Sequence, residues 1–470
     1  MISETGMTIV MHWEGEKMFK DLFRVKLSYW LLVPAILQTT IPWLSFRIRI
    51  IYVFALMLFW LVLNFSSVLS AVASHSSRSF RVVLFWFLVY NFLNNLYALL
   101  GFGDFSTYNE VSFTIVQLLY FMIAHHLLIF NRYKELKFLT FWIFLGLILA
   151  GLMSARGMGT EGLEGARSFV GTGAKELSAE RIDTMIQSAM IGLGDYRYVY
   201  MCAWVFGMML FAFVMVKTYI LKIMTLGIGI SCAISVKMGG LGTPVIIMGV
   251  SLIMFAVWYL FKSRRLLKIM GYSLIVLISL YFVAPIVYRP LVYPLRYIAE
   301  NMDDGSVKKR VEMLADAFLG DDNYAVERTR LQLISWETFC QYPIFGEGMY
   351  HFEYGKAPKN KIGGHSLVLD RLAKSGIIGF LPFIMFLYYL GKYYENVSRS
   401  RFRKDWLAIP TMFIGLYVFS SIANPTFGIP NVVYIIIPGL AYIIAVSRRD
   451  FISVMPYCGE PLQNFNCFER

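Results

Sequence analysis

Long apolar stretches alternate with short polar connectors along almost the whole chain, beginning at roughly residues 27, 50, 82, 110, 138, 198, 220, 241, 268, 366, 406 and 430. Each approaches the roughly 20 residues that an α-helix needs to cross about 30 Å of hydrocarbon. In lipid the backbone must satisfy its own hydrogen bonds, so such runs are read as helices. The pattern predicts an all-α polytopic membrane protein of about 12 transmembrane helices, with the first and seventh runs the weakest. Residues 1–26, ending in DLFRVK, are polar and charged, so the first apolar run is not the core of a short cleavable signal peptide starting at Met1. An uncleaved signal anchor is expected.

The alternation lapses twice, over residues 155–197 and 289–364, which gives the expected layout. A cytoplasmic segment, 1–26, precedes transmembrane helices 1–5 in 27–154. A periplasmic loop, 155–197, precedes helices 6–9 in 198–288. A large periplasmic loop, 289–364, precedes helices 10–12 in 365–447, and 448–470 form a cytoplasmic tail.

Charge sets the orientation. The connectors SHSSRSFR, NRYKELK, KTYILK, KSRRLLK and KYYENVSRSRFRKD together hold 16 Lys or Arg. The opposite ones, GFGDFSTYN, KMGGLGT and ANPTFGIP, share one Lys. Short basic loops stay inside, so both termini are expected in the cytoplasm and the two long segments outside, in a bacterial inner membrane. Only Arg47 and Arg49 run against the bias.

Composition agrees, at 58% hydrophobic and only 16% charged, far from the balance of a soluble chain. The formal charge of +13 admits nucleic acid, an anionic membrane or an anionic substrate as partner, and its placement decides among them. The two outer segments carry 15 cations that orientation does not require, Arg167 and Arg197 among them. They favour an anionic ligand or outer-leaflet lipid headgroups and no nucleic acid. The five Cys show no zinc spacing or disulfide framework.

Within the second loop, VKKRVEMLADAFLG and AVERTRLQLISWETFCQYP repeat apolar residues every three or four positions, predicting two amphipathic helices. Pro343 ends the second, and Gly346, Gly348 and Gly355 predict a loose turn before the chain re-enters the bilayer near His365. GTGAKEL lacks the spacing and hydroxyl of a nucleotide-binding loop. The span centres are almost bare of charge, unlike those of ion-coupled transporters. The exceptions are His125 and His126, one of which must face the bundle, and Lys222 and Lys237 near span ends.

Two outer histidines, His351 and His365, lie among the cations. A histidine is the natural base near neutral pH. Fixed cations beside it suit transfer of a glycan from a lipid diphosphate, because they hold the leaving group as its charge grows. Glu347 and Glu353 are alternative bases, although an exposed carboxylate is a weak one for a sugar hydroxyl.

The stretch ERTRLQLISWETFCQYPIFGEGMYHF, followed by GGHSLVLDRLAKSGIIGF, resembles the signature of the O-antigen polymerase and ligase family. That signature is an Arg-bearing helix, a Pro, Gly-x-Gly, and a His opening a Gly-containing span. By position Arg328 matches the helix arginine, His365 the histidine, and Gly346, Gly348, Gly376 and Gly379 the glycines. Where many relatives have Asn this chain has Ser366, and where many have Ser-Arg-Gly outside the seventh span it has Lys237.

The resemblance implies a GT-C-like, metal-independent membrane glycosyltransferase that needs no cofactor. His365 and Arg328 would be its catalytic residues. Arg330, Arg197, Arg167 and Lys237 would be diphosphate ligands, although Arg328 and Arg330 cannot face the same way on a helix. Asp370 would orient His365 or pair with Arg371 or Lys374. The implied substrate is an undecaprenyl-diphosphate-linked oligosaccharide, polymerised as O-antigen repeat units for lipopolysaccharide, with a chain-length regulator as a further possible partner. Passing the glycan to lipid A core as a ligase, carrying it as a flippase, and serving as a non-catalytic scaffold are the alternatives.

Overall fold

A computed structural model describes residues 25–42, 44, 50–102, 107–157, 196–239, 242–261, 294–302, 308, 311–312, 323–350, 361–401, 404–423 and 431–448. Its regular elements are all helices. In chain order they are α1 (Leu27–Trp30), α2 (Val33–Thr40), α3 (Ile50–Leu63), α4 (Phe65–Ala73), α5 (Arg78–Phe102), α6 (Thr107–Ile129), α7 (Tyr133–Gly157) and α8 (Tyr196–Met215). There follow α9 (Tyr219–Gly239), α10 (Gly242–Phe261), α11 (Asn323–Gln341), α12 (Gly346–Tyr350), α13 (Leu367–Arg401), α14 (Ala408–Ala423) and α15 (Val433–Ser447).

Six of these helices are long and apolar enough to cross a membrane, or seven if the pair α3 and α4, bent by 77°, counts as one span. The expectation of about twelve full spans is not confirmed among the described residues, and two of the expected runs are interrupted. Pro34 follows a break at Leu31–Leu32 that divides the first run into α1 and α2. Asn64 divides the second, where its side-chain amide donates to the Trp60 carbonyl at 2.9 Å, capping the turn it interrupts. Among the described residues three further apolar helices are shorter, Thr114–Ile129 in α6, Ala408–Ile422 in α14 and Val433–Ser447 in α15. The ninth run, from residue 268, and the first amphipathic helix of the second long segment lie largely outside the described residues. The seventh run, expected to be weak, forms the regular helix α9.

The core lies between α7, α8, α14 and α15, and α8 is its axis. Of the span Arg197–Met215, 78% is buried within the bundle, against 22% for Gly242–Leu260 at the periphery. Trp204 packs edge-on against Tyr200, Phe413 and Tyr417. Leu, Ile and Phe side chains such as Ile51, Phe59, Phe92 and Ile253 face outward, as a surface solvated by lipid requires.

Small residues set the helix spacing. A side chain at Gly151 of α7 would strike Ser231 of α9, and Ser154 lies 3.4 Å from Ser235. Ser235 also bonds the Tyr198 hydroxyl of α8 at 3.3 Å. These contacts put the end of α7, the start of α8 and the end of α9 at one end of the bundle. The opposite end is organised by His125, which is 2% exposed and stacks on Phe80. His125 bonds the Ser77 hydroxyl through Nε2 at 2.8 Å and the Tyr393 hydroxyl through Nδ1 at 3.1 Å. His126 is buried beside Trp60 and Phe130, so both histidines face inward.

Candidate functional site

Helix α11 is amphipathic, and the row Gln332, Ser335 and Thr338 meets the chain returning toward α13. Ser335 donates to Asp370 Oδ1 at 2.7 Å and accepts the Gly363 N–H at 2.9 Å. Thr338 donates to the Lys361 carbonyl at 2.7 Å, and the Gln332 amide reaches the His365 carbonyl at 3.4 Å. Arg328 stands one helical turn before Gln332 on this row, and Arg330 is rotated about 200° from Arg328. Their side chains lie outside the described residues.

Ser366 opens α13. Its hydroxyl accepts the Leu369 N–H at 3.3 Å, while the Asp370 carboxylate accepts the Ser366 N–H at 3.2 Å through Oδ2. This is the reciprocal pattern of a capping box, moved one residue along. Asp370 Oδ1 also accepts the Gly364 N–H at 3.1 Å. One buried carboxylate thus grips the backbone on both sides of His365 and ties it to α11. Asp370 makes no ion pair with Arg371, and it positions His365 through the backbone. His365 itself is partly exposed.

The long helix α13 is broken at Gly376, whose φ of 60° and ψ of −165° are far from helical. A side chain there would collide with the Ile344 carbonyl, and φ in this region is strained for any residue with a Cβ. The N–H groups freed by the break are taken by the turn that follows α11. Ile377 donates to the Pro343 carbonyl at 2.9 Å and Ile378 to that of Ile344 at 3.2 Å. Gly346, at φ 71°, lets the same turn approach the backbone of Lys374 and Ser375. Gly348 then lies against Gly101 at the end of α5. What the sequence suggests as a loose turn is therefore a short helix, α12, wedged between α5 and α13.

Glu347, expected to be exposed, is fully buried in that wedge. Lys361 reaches it at 3.6 Å and also lies over the Tyr342 ring. Glu353 and His351 lie outside the described residues, as does Arg167.

Arg197 and Lys237 share the end of the bundle where α8 begins and α9 finishes, since Gly239 is packed on Val199. The α5 terminus that meets Gly348 is at this same end. So are the start of α13 and His365, because Tyr97, late in α5, lies beside Gly379. Lys237 is exposed, whereas Arg197 is partly buried. His365, whose flanking backbone is held by Asp370, thus lies at the same end of the bundle as Arg197 and Lys237.

Sequence reasoning offered Arg371 only as a partner for Asp370. Its guanidinium lies 4.6 Å from the centre of the buried Tyr90 ring, with Nη1 sealed from solvent. An Arg one turn into an apolar run was the available signal. Among the described residues no group of His, Cys, Asp and Glu could hold a metal ion.

Residues 228–384 match the model of a family described as O-antigen ligase. No curated protein is significantly similar to the chain. The matched stretch begins in α9 and ends in α13, beyond its break, so it contains α11, the wedge helix and the His365 turn. The match covers about a third of the chain, and over that stretch the chain is similar to the O-antigen ligase family.

Proposed function

We propose that this protein is an O-antigen repeat-unit polymerase that moves a growing glycan from undecaprenyl diphosphate onto a second lipid-linked repeat unit. The observation that carries the reading is the Asp370 network, which ties the backbone on both sides of His365 to the helix that carries Arg328. In this reading His365 takes the proton of the acceptor hydroxyl. The hydroxyl oxygen bonds to the anomeric carbon, and the bond from that carbon to the diphosphate oxygen breaks with its electron pair staying on oxygen. Arg328, with Arg330, Arg197, Arg167 and Lys237, offsets the charge that gathers there. The proposed topology has twelve spans in the bacterial inner membrane, both termini in the cytoplasm and the His365 mouth facing the periplasm. No metal takes part.

A second reading, transfer of the same glycan to lipid A core, is favoured by the description of the matched family. It shares donor and chemistry and differs in acceptor. The transport alternative draws no support from that match.

The test supplies purified protein with a defined lipid-linked repeat unit, alone and then with lipid A core. A ladder of products in the first mixture is expected. A single addition to core, with no ladder, favours the ligase, and no product in either mixture overturns the transferase reading.

A further inference from the structure

Arg371 is a partly buried cation near the start of α13. It is four residues past Leu367, hence about 6 Å along the helix axis from the start of α13. Its Nη1 is sealed from solvent without a hydrogen-bond partner. The Tyr90 ring of α5 lies under the guanidinium, and Tyr417 of α14 is nearby. The adjacent carboxylate, Asp370, is turned onto α11, and its oxygens are taken by Ser335, Gly364 and Ser366. Among the described residues Arg371 enters no ion pair.

Desolvating a guanidinium is costly, and one ring face offsets only part of that. For packing alone an apolar side chain would serve as well. Charges retained inside membrane segments mark ligand sites and pathways. We infer that Arg371 binds the diphosphate of the polyprenyl-linked donor where α5, α13 and α14 meet, an inference that rests on the transferase reading above. The planar guanidinium matches two phosphate oxygens at once. Its place about one turn into α13 suits a donor whose tail lies in lipid and whose sugar points out. The electron pair left on the diphosphate oxygen as the glycosidic bond breaks then faces a fixed positive charge, while the acceptor proton goes to His365.

Native mass spectrometry of the full-length protein in detergent provides the test, with undecaprenyl diphosphate, undecaprenol and phosphatidylglycerol as separate probes. Arg371→Met is expected to weaken diphosphate binding at least tenfold, leave undecaprenol binding unchanged, and keep or raise the thermal midpoint. A structural cation would give the opposite thermal result. Arg371→Lys, which keeps the charge and loses the fork, is expected to fold normally and bind the diphosphate at least threefold more weakly. Should the Met variant not fold, the Lys comparison decides. Wild-type affinity in whichever variant decides overturns the role of Arg371 and leaves the transferase reading standing. An equal dependence of phosphatidylglycerol binding on Arg371 overturns the assignment to the donor. A wild-type protein that prefers undecaprenol or shows no preference overturns both readings.

Discussion

Ser335 and Asp370 join α11 to α13 through a buried hydrogen bond of 2.7 Å, although 35 positions separate them in the chain. The same carboxylate holds the N–H groups of Gly364 and Ser366, so the backbone that presents His365 is only as well placed as this pair.

Replacing Asp370 with Asn keeps its volume and removes the charge that three donors address. Hydrogen bonds to a charged group contribute about 1.5–3 kcal/mol each. Asp370→Asn is therefore expected to slow glycan transfer by about a hundredfold, as catalytic misplacement on the order of 1 Å does. Ser335→Ala should slow it less. Single-turnover rates with a defined lipid-linked donor measure both, and an unchanged rate for Asp370→Asn would refute the positioning role.

Under the proposed chemistry His365→Ala removes the base and should lower the transfer rate by about 10²–10⁴-fold. Arg328→Lys should retain more activity than Arg328→Ala, because the charge survives. Product ladders resolved by gel, normalised to folded protein, give the comparison. Full activity in His365→Ala would assign the base elsewhere.

At Gly376 any other residue must adopt a strained backbone and displace the Ile344 carbonyl. Backbone strain of this kind costs about 1–3 kcal/mol. Gly376→Ala should lower the thermal midpoint by several degrees, measured by intrinsic fluorescence in detergent. An unchanged midpoint would mean that the break tolerates a Cβ.

For Glu347 and Lys361 the order of effects is the diagnostic. Removing one partner of a buried ion pair costs about 3–5 kcal/mol, whereas replacing both is often near neutral. Partial exposure of Lys361 places its effect at the lower end of that range or below it. Lys361→Met should thus destabilise more than the double variant Lys361→Met with Glu347→Gln, as read by thermal unfolding.

His125→Phe should reduce stability by about 1–3 kcal/mol, since it leaves the Ser77 and Tyr393 hydroxyls without this partner. Transfer activity of the folded fraction should be unchanged. Its loss would mean that the histidine relays protons.

Much of this architecture was legible in the chain, because apolar length and the position of Pro and Gly act locally. The amphipathic period of α11, the stop before Pro343 and the entry of α13 at His365 all follow from neighbours within a few residues. The interruptions at Leu31–Leu32 and Asn64 were hidden, since hydropathy averages over a run and ignores a single polar residue that caps from within it. Glu347 looked like a solvated acid because its burial is created by α5 and α13, which are remote in sequence. Asp370 and Arg371 are adjacent and opposite in charge, so sequence alone offered them as a pair. Helical rotation of about 100° per residue sends one to α11 and the other toward Tyr90.

The break at Gly376 also gives the molecule a mechanical property. Residues 367–375 form a separate rod about 13 Å long, fastened at its inner end by the Pro343 and Ile344 carbonyls and at its outer end by Asp370. A rotation of about 5° at the inner joint would carry His365 about 1 Å sideways, which is the scale on which reacting groups lose alignment. The fastening at the joint therefore sets the aim of a residue more than two helical turns away. Leverage of this kind lets a substitution at the joint shift His365 without touching any residue around it.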